Sequence, residues 1–206
     1  MRLKFLFLLS ISIWCSGCYL NSTFQSAETI EPGAARAGAS ASLVGGPLDM
    51  PSRIGITRNF DVGFRYGFID HFLVDGKYQF LRDPLDASIS LGFSYNTVDA
   101  GTKESANRQV SRGFFPAILV GKTAEDVGWY AALRAMYLSQ AGFEEFLIRY
   151  RTLFNDSGWI ATGFTIGGFV HGGGSFRFVT ELNMFFGRNG KRTFIPTIGF
   201  QIDLTE

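Results

Sequence analysis

The chain has 206 residues, with 19 Lys and Arg against 18 Asp and Glu, a formal net charge of +1 at pH 7. So even a balance offers no basic footprint for nucleic acid, and 25 Gly and 22 Phe with 16% aromatic but only 18% charged residues depart from soluble-domain usage and suit strands. The two cysteines, Cys15 and Cys18, and the two histidines, His71 and His171, are too few for a disulfide framework or a metal cluster, and no cofactor is expected.

Arg2 and Lys4 precede an apolar run from Phe5 to Trp14, and the small residues Ser16-Gly17 follow before Cys18. A basic end, a short apolar run and small residues form an export signal. The run is about ten residues, too short to cross the ~30 Å hydrocarbon core as a permanent helix. Ser16-Gly17-Cys18 resembles the bacterial lipobox, in which the signal is cut just before a cysteine that takes lipid. Cys15 stands where that motif usually carries an aliphatic residue, and ordinary cleavage after Gly17 is the alternative. The resemblance implies a signal peptide over 1–17 and lipidation at Cys18. Cleavage there removes Arg2 and Lys4, leaving 17 basic against 18 acidic side chains, and leaves Cys18 as the sole cysteine. Residues 18–34, mostly small or polar and containing Pro32-Gly33, read as a lipidated tether. Residues 35–206 read as one domain.

Within that domain, side chains alternate as they must in a strand. From Phe60 to Phe68 one face holds Phe60, Val62, Phe64, Tyr66 and Phe68, and the other Asp61, Gly63, Arg65 and Gly67. Phe72, Val74, Gly76, Tyr78 and Phe80 oppose Leu73, Asp75, Lys77 and Gln79; Ile89, Leu91, Phe93 and Tyr95 oppose Ser88, Ser90, Gly92, Ser94 and Asn96. The same code returns in 176–186 and 194–204. Weaker strands are expected over 35–44, 53–57, 114–122, 129–139 and 159–170, making ten. In the least regular, 114–122, both faces are apolar and Pro116 removes a ladder donor, so a bulge or irregularity is expected there. Tight connections at 57–60, 82–86, 123–128 and 171–175 alternate with longer ones that include 99–113 and 140–158. Short turns at one end and long loops at the other are the arrangement of an up-and-down transmembrane barrel. The fold predicted is all-β, an antiparallel barrel of about ten strands, eight being the alternative.

Gln25-Ser26-Ala27-Glu28-Thr29-Ile30-Glu31-Pro32-Gly33, followed by the hairpin Arg53-Ile54-Gly55-Ile56-Thr57-Arg58-Asn59-Phe60-Asp61-Val62-Gly63, resembles a broad group of small bacterial outer-membrane β-barrel proteins, several of them lipoproteins. The resemblance covers nearly the whole mature chain. It implies an outer-membrane location and membrane lipid as partner; the group has no shared catalytic motif to carry over. Barrels of this kind often finish on an aromatic residue, whereas this chain runs on through Leu204-Thr205-Glu206.

On the inward faces lie Arg36, Arg65, Lys77, Arg134 and Arg177 with Asp61, Asp75, Glu181 and Asp203, a nearly balanced set that lipid cannot solvate. Such charges either line a solute path, as in a small porin, or pair into a plug; the narrow interior of a small barrel favours the plug. His171-Gly172-Gly173-Gly174 matches the oxyanion segment of lipases, yet no Gly-x-Ser-x-Gly nucleophile turn exists and a hairpin turn explains the glycines. Asp70-His71 beside Ser111 or Ser139 offers a base and a hydroxyl at a rim, without a motif to join them. Trp129, Tyr130, Tyr137, Trp159, Tyr66 and Tyr95 fall near strand ends, where ringed side chains with a polar handle suit the headgroup boundary. The expected role is structural or surface-interacting and non-catalytic. A porin-like channel and a periplasmic lipocalin-like carrier, whose apolar face would point inward, are the alternatives.

Overall fold

The computed structural model describes residues 24–42, 48–67, 71–100, 107–138, 159–186 and 192–204. Ten strands follow in chain order: β1 (Ala35–Ser42), β2 (Asp49–Thr57), β3 (Phe60–Gly67), β4 (His71–Leu81), β5 (Asp86–Ala100), β6 (Asn107–Thr123), β7 (Val127–Leu138), β8 (Trp159–His171), β9 (Phe176–Phe186) and β10 (Arg192–Asp203). Each pairs antiparallel with its sequence neighbours, and β10 returns to β1 in the register Arg36↔Asp203 to Ser42↔Thr197. The sheet is thus a closed up-and-down barrel with no free edge to satisfy.

Alternation in sequence becomes inside and outside in the barrel. On β3, Phe64 and Tyr66 are exposed while Asp61, Gly63, Arg65 and Gly67 are buried; on β5, Ile89, Leu91, Phe93 and Tyr95 face out and Ser88, Ser90 and Ser94 are buried. This inverts the usual rule that apolar residues are inside. Phe93 is 62% exposed, whereas Asp61 is 0%. The carrier reading needs the opposite orientation and is overturned by it.

One expectation about strand boundaries changes. Residues 99–113 are mostly strand and not loop, since β5 extends to Ala100, β6 begins at Asn107, and the two pair without interruption from Asp86↔Gly121 to Ala100↔Asn107. The irregularity expected at Pro116 is present as a gap and not as a bulge: the β6–β7 ladder omits Phe115 and Pro116 and resumes in the same register, from Phe114↔Tyr137 to Ala117↔Arg134, as the missing proline N–H requires. The register shifts fall elsewhere, between Gly55 and Thr57 and between Gln79 and Leu81. The connection 140–158 lies outside the described residues.

The connections at 58–59, 82–85, 124–126 and 172–175 share one end of the barrel with the start of β1 and the finish of β10. This is the turn end, and the opposite one is the loop end. Residues 24–30, which the sequence places in a tether, run inside the barrel, with Phe24, Ala27, Thr29 and Ile30 buried. The segment descends toward the turn end, reverses at Pro32-Gly33 and enters β1. At the reversal Gly33 N–H donates to the Gly55 carbonyl and Gly55 N–H to the Ala34 carbonyl, both at 3.0 Å. Gly33 has φ +82°, a left-handed conformation that glycine adopts without strain. A Cβ on Gly55 would lie 2.0 Å from the Glu31 carbonyl oxygen, so only glycine admits the segment there.

Candidate functional site

The lumen holds three groups of polar side chains, each built from several strands. In the first, Arg53 of β2 donates to both Asp61 of β3 and Asp75 of β4, and Lys77 of β4 sits 3.2 Å from Asp61. The second centres on Glu181 of β9, which accepts from Tyr130 Oη of β7 at 2.5 Å and from Asn183 at 3.3 Å. Asn183 in turn accepts from Thr165 at 2.7 Å and Arg134 at 3.3 Å. The third lies at the turn end, where Asp203 of β10 pairs with Arg36 at 2.5 Å and Arg177 at 3.5 Å. Two aromatic rings support these cations: the Arg134 guanidinium carbon lies 5.3 Å from the Phe185 ring and that of Arg177 5.3 Å from the Phe169 ring.

The buried segment joins the first two groups. Phe24 N–H donates to Glu181 at 2.6 Å and Ile30 N–H to Asp61 at 3.1 Å, while Lys77 Nζ donates to the carbonyls of Ser26 and Glu28 at 2.9 and 2.5 Å. Gln25 Nε2 donates to Asp75 at 3.0 Å. Among the described residues, two pockets beside the segment, one bordered by Arg36, Arg53 and Lys77 and the other by Arg65, Ser90 and Arg134, measure about 20 and 30 Å³, room for one or two waters. A larger one of about 760 Å³ opens at the turn end between Glu28, Thr29, Pro32, Arg58 and Arg82.

All the interior charges read from sequence, Arg36, Asp61, Arg65, Asp75, Lys77, Arg134, Arg177, Glu181 and Asp203, stand on the lumen side of their strands. Cys18 lies outside the described residues. Asp49 and Arg53, both buried, were not among the expected charges: Asp49 precedes residue 53, where the second strand was read to begin, and Arg53 stands at the first position of that reading. Arg53 shares a face with Gly55 in simple alternation, which is the signal that identifies it. Tyr130 corrects the boundary reading. It is 1% exposed and hydrogen-bonds Glu181 inside the barrel, in phase with Ala132 and Arg134, while Tyr66, Tyr95, Trp129 and Tyr137 do face outward.

His171 ends β8, and Gly172–Gly174 form the hairpin turn, with Gly173 at φ +98° and Gly174 at φ +57°. At the loop end the pairings His71↔Asn96 and Asn96↔Ser111 put His71 and Ser111 two strands apart, about 10 Å between backbones at ordinary strand spacing. Asp70 and Ser139 lie outside the described residues.

No protein-family model matches the sequence, and no curated protein sequence matches it. Among solved structures, that of Neisserial surface protein A (NspA) is similar, with a TM-score of 0.35 and 9% identity over 83% of this chain and 94% of that one. The barrel described above rests on this chain's own strand pairing.

Arg53 holds two buried carboxylates at once, so Arg53→Ala leaves both without their shared cation. Breaking a buried pair in this way costs about 3–5 kcal/mol, and denaturant unfolding of the protein in micelles should show a loss of that size. Gly63→Val should also destabilise, because a Cβ there would lie 2.4 Å from Arg53 and 2.6 Å from Asp75. A loss below ~1 kcal/mol for Arg53→Ala would mean that water, not Arg53, satisfies the two carboxylates.

Proposed function

We propose that this chain is an exported outer-membrane β-barrel with a structural or surface-interaction role, closed to bulk solute and anchored by lipid at Cys18. One observation carries the membrane reading. On the outward face of β6, Arg112 and Lys122 bracket Phe114, Pro116, Ile118 and Val120. Ten strand residues at ~3.3 Å each, tilted by the 35–45° usual for barrels, give about 25 Å of height, the thickness of the apolar band on outer-membrane barrels. Both ends of this band carry boundary side chains. Arg112 pairs across to Tyr95 and Lys122 to Trp129, and Arg192 lies 6.0 Å above the Phe186 ring. A cation that reaches water beside an aromatic ring is the pattern of a headgroup boundary.

The bracketing extends around the barrel, since Ile54, Phe64, Leu91, Leu133, Ile166 and Phe178 are exposed on six other strands. A water-facing surface this apolar has no stable monomeric use. The filled lumen supports a closed barrel over a porin, and the turn conformation of Gly172–Gly174 supports a non-catalytic reading of His171 and its neighbours. Six residue steps separate Cys18 from buried Phe24, at most about 20 Å of chain. A lipid on Cys18 is therefore held close to one mouth of the barrel.

In phospholipid bilayers, Leu91→Arg and Ile118→Arg, at the middle of this band, should each lower stability by about 2–4 kcal/mol, as a cation near the membrane midplane does, and Lys122→Ala by less than ~1 kcal/mol. Reversible urea unfolding from vesicles measures both. A cost for Leu91→Arg and Ile118→Arg no larger than that for Lys122→Ala would place this face in water and end the membrane reading. For the anchor, the intact mass of the mature protein should show an acylated Cys18 as its first residue, and Cys18→Ala should abolish the added mass. An unmodified Cys18 at the N-terminus would remove the anchor and leave the barrel.

A further inference from the structure

The lumen wall does more than neutralise its own charges, because its polar side chains reach the main chain of another segment in both senses. Donors Phe24 N–H, Thr29 N–H and Ile30 N–H meet Glu181, Gln79 and Asp61; acceptors Phe24 C=O, Ser26 C=O and Glu28 C=O meet Gln201 and Lys77. These partners come from β3, β4, β9 and β10. Main-chain recognition of this kind gives affinity without reading sequence, and the seats between the bonds supply the reading.

There are three such seats. Phe24 is 3% exposed and packs with Tyr130, Phe169 and Val179, beside Gly199, where a Cβ would come within 2.5 Å of its ring. Ala27 is 1% exposed among Ala117, Leu119 and Ala132, a seat for a methyl group and little more. Thr29 Oγ1 lies 2.7 Å from the Arg58 carbonyl and 2.8 Å from Gln79 Oε1, and accepts from Arg82 at 3.1 Å. On its C-terminal side the segment continues through the turn-end reversal at Pro32-Gly33 into β1. None of the strand pairings that close the barrel passes through residues 24–33.

From this arrangement we infer that the lumen is a peptide-binding site, occupied in this chain by its own residues 24–30. The ligand class is an extended peptide with an aromatic residue first, a small residue fourth and a threonine sixth. The segment is thereby a removable closure, and its departure exposes a lumen lined by Arg65, Lys77, Arg134, Asp61, Asp75 and Glu181. The inference rests on the closed membrane barrel proposed above. Because the segment is tethered, its effective concentration is on the order of millimolar, so a free peptide competes only once the resident segment is weakened.

The experiment is single-channel recording on the full-length protein in planar bilayers. The unmodified protein should give no steps. Ala27→Arg, whose side chain has no room among Ala117, Leu119 and Ala132, should release the segment and give discrete openings. A synthetic peptide of the sequence Phe24 to Gly33 should then close the channel, and the same peptide bearing A27R should need at least tenfold more. Phe24→Ala, which only vacates a seat, should open intermittently and, because its tethered segment still competes, need more peptide to close than Ala27→Arg does; it decides the matter if Ala27→Arg does not assemble. Variants that insert but never open would show that the wall charges alone seal the lumen, and equal block by both peptides would show that the wall reads no sequence. Either result overturns the peptide site and leaves the membrane barrel standing. Failure of the unmodified protein to associate with bilayers at all would instead overturn the membrane barrel, and the peptide site with it.

Discussion

Asp61 has no exposed surface, and it is held by Arg53, by Lys77 at 3.2 Å and by the Ile30 amide at 3.1 Å. A carboxylate survives in so enclosed a space only if each of its oxygens is met by donors. The rest of the interior follows from that demand. An apolar exterior forces the polar residues inward; pockets beside Arg53 and Arg134 with room for only one or two waters force them to pair; and strands alone leave carboxylates such as Asp61 and Glu181 with capacity that the main chain of residues 24–30 fills. The closure is therefore a property of wall and segment together. Buried ion pairs add little net stability over well-packed apolar groups, but they specify where each strand and the segment must lie.

Glycine content has a related origin. A Cβ on Gly167 would lie 2.2 Å from Tyr130, on Gly163 2.6 Å from Phe185 and on Gly128 2.1 Å from Phe169. Each glycine clears room for an inward aromatic ring, and two of those rings face Arg134 and Arg177. Glycine weakens a strand through lost entropy and lost packing, yet here the missing side chain is replaced by a ring from the next strand. Glycine on the lumen face thus belongs with a filled barrel of small bore, whereas most of the described phenylalanines face outward.

The outer face was legible wherever the closed barrel keeps strict period-two alternation, as from Phe60 to Tyr95 and again through β9 and β10. Legibility stopped where the constraint stops. Beyond Tyr95 the chain reads Asn96-Thr97-Val98-Asp99-Ala100 and keeps its strand pairing without an apolar face, so nothing local distinguishes it from loop. Tyr130 was misplaced because its neighbour Trp129 carries the same boundary signature, and only phase with Ala132 and Arg134 separates them. The lumen segment left no local trace. Phe24 takes its partners from Glu181 and Gln201, 157 and 177 residues away, and a short polar stretch ending in Pro-Gly resembles a linker whether or not distant side chains receive it.

Function on this account depends on whether residues 24–30 occupy the lumen in the assembled protein. Amide hydrogen exchange of the full-length protein in lipid nanodiscs, resolved residue by residue, reads this directly. Amides bonded to buried side-chain oxygens inside a closed barrel open only with the structure around them, so Phe24, Thr29 and Ile30 should exchange as slowly as the paired amides of β3 and β4. Exchange at these three positions at the rate of a free peptide, with the strand amides still protected, would contradict the account: the barrel would be intact and its lumen open.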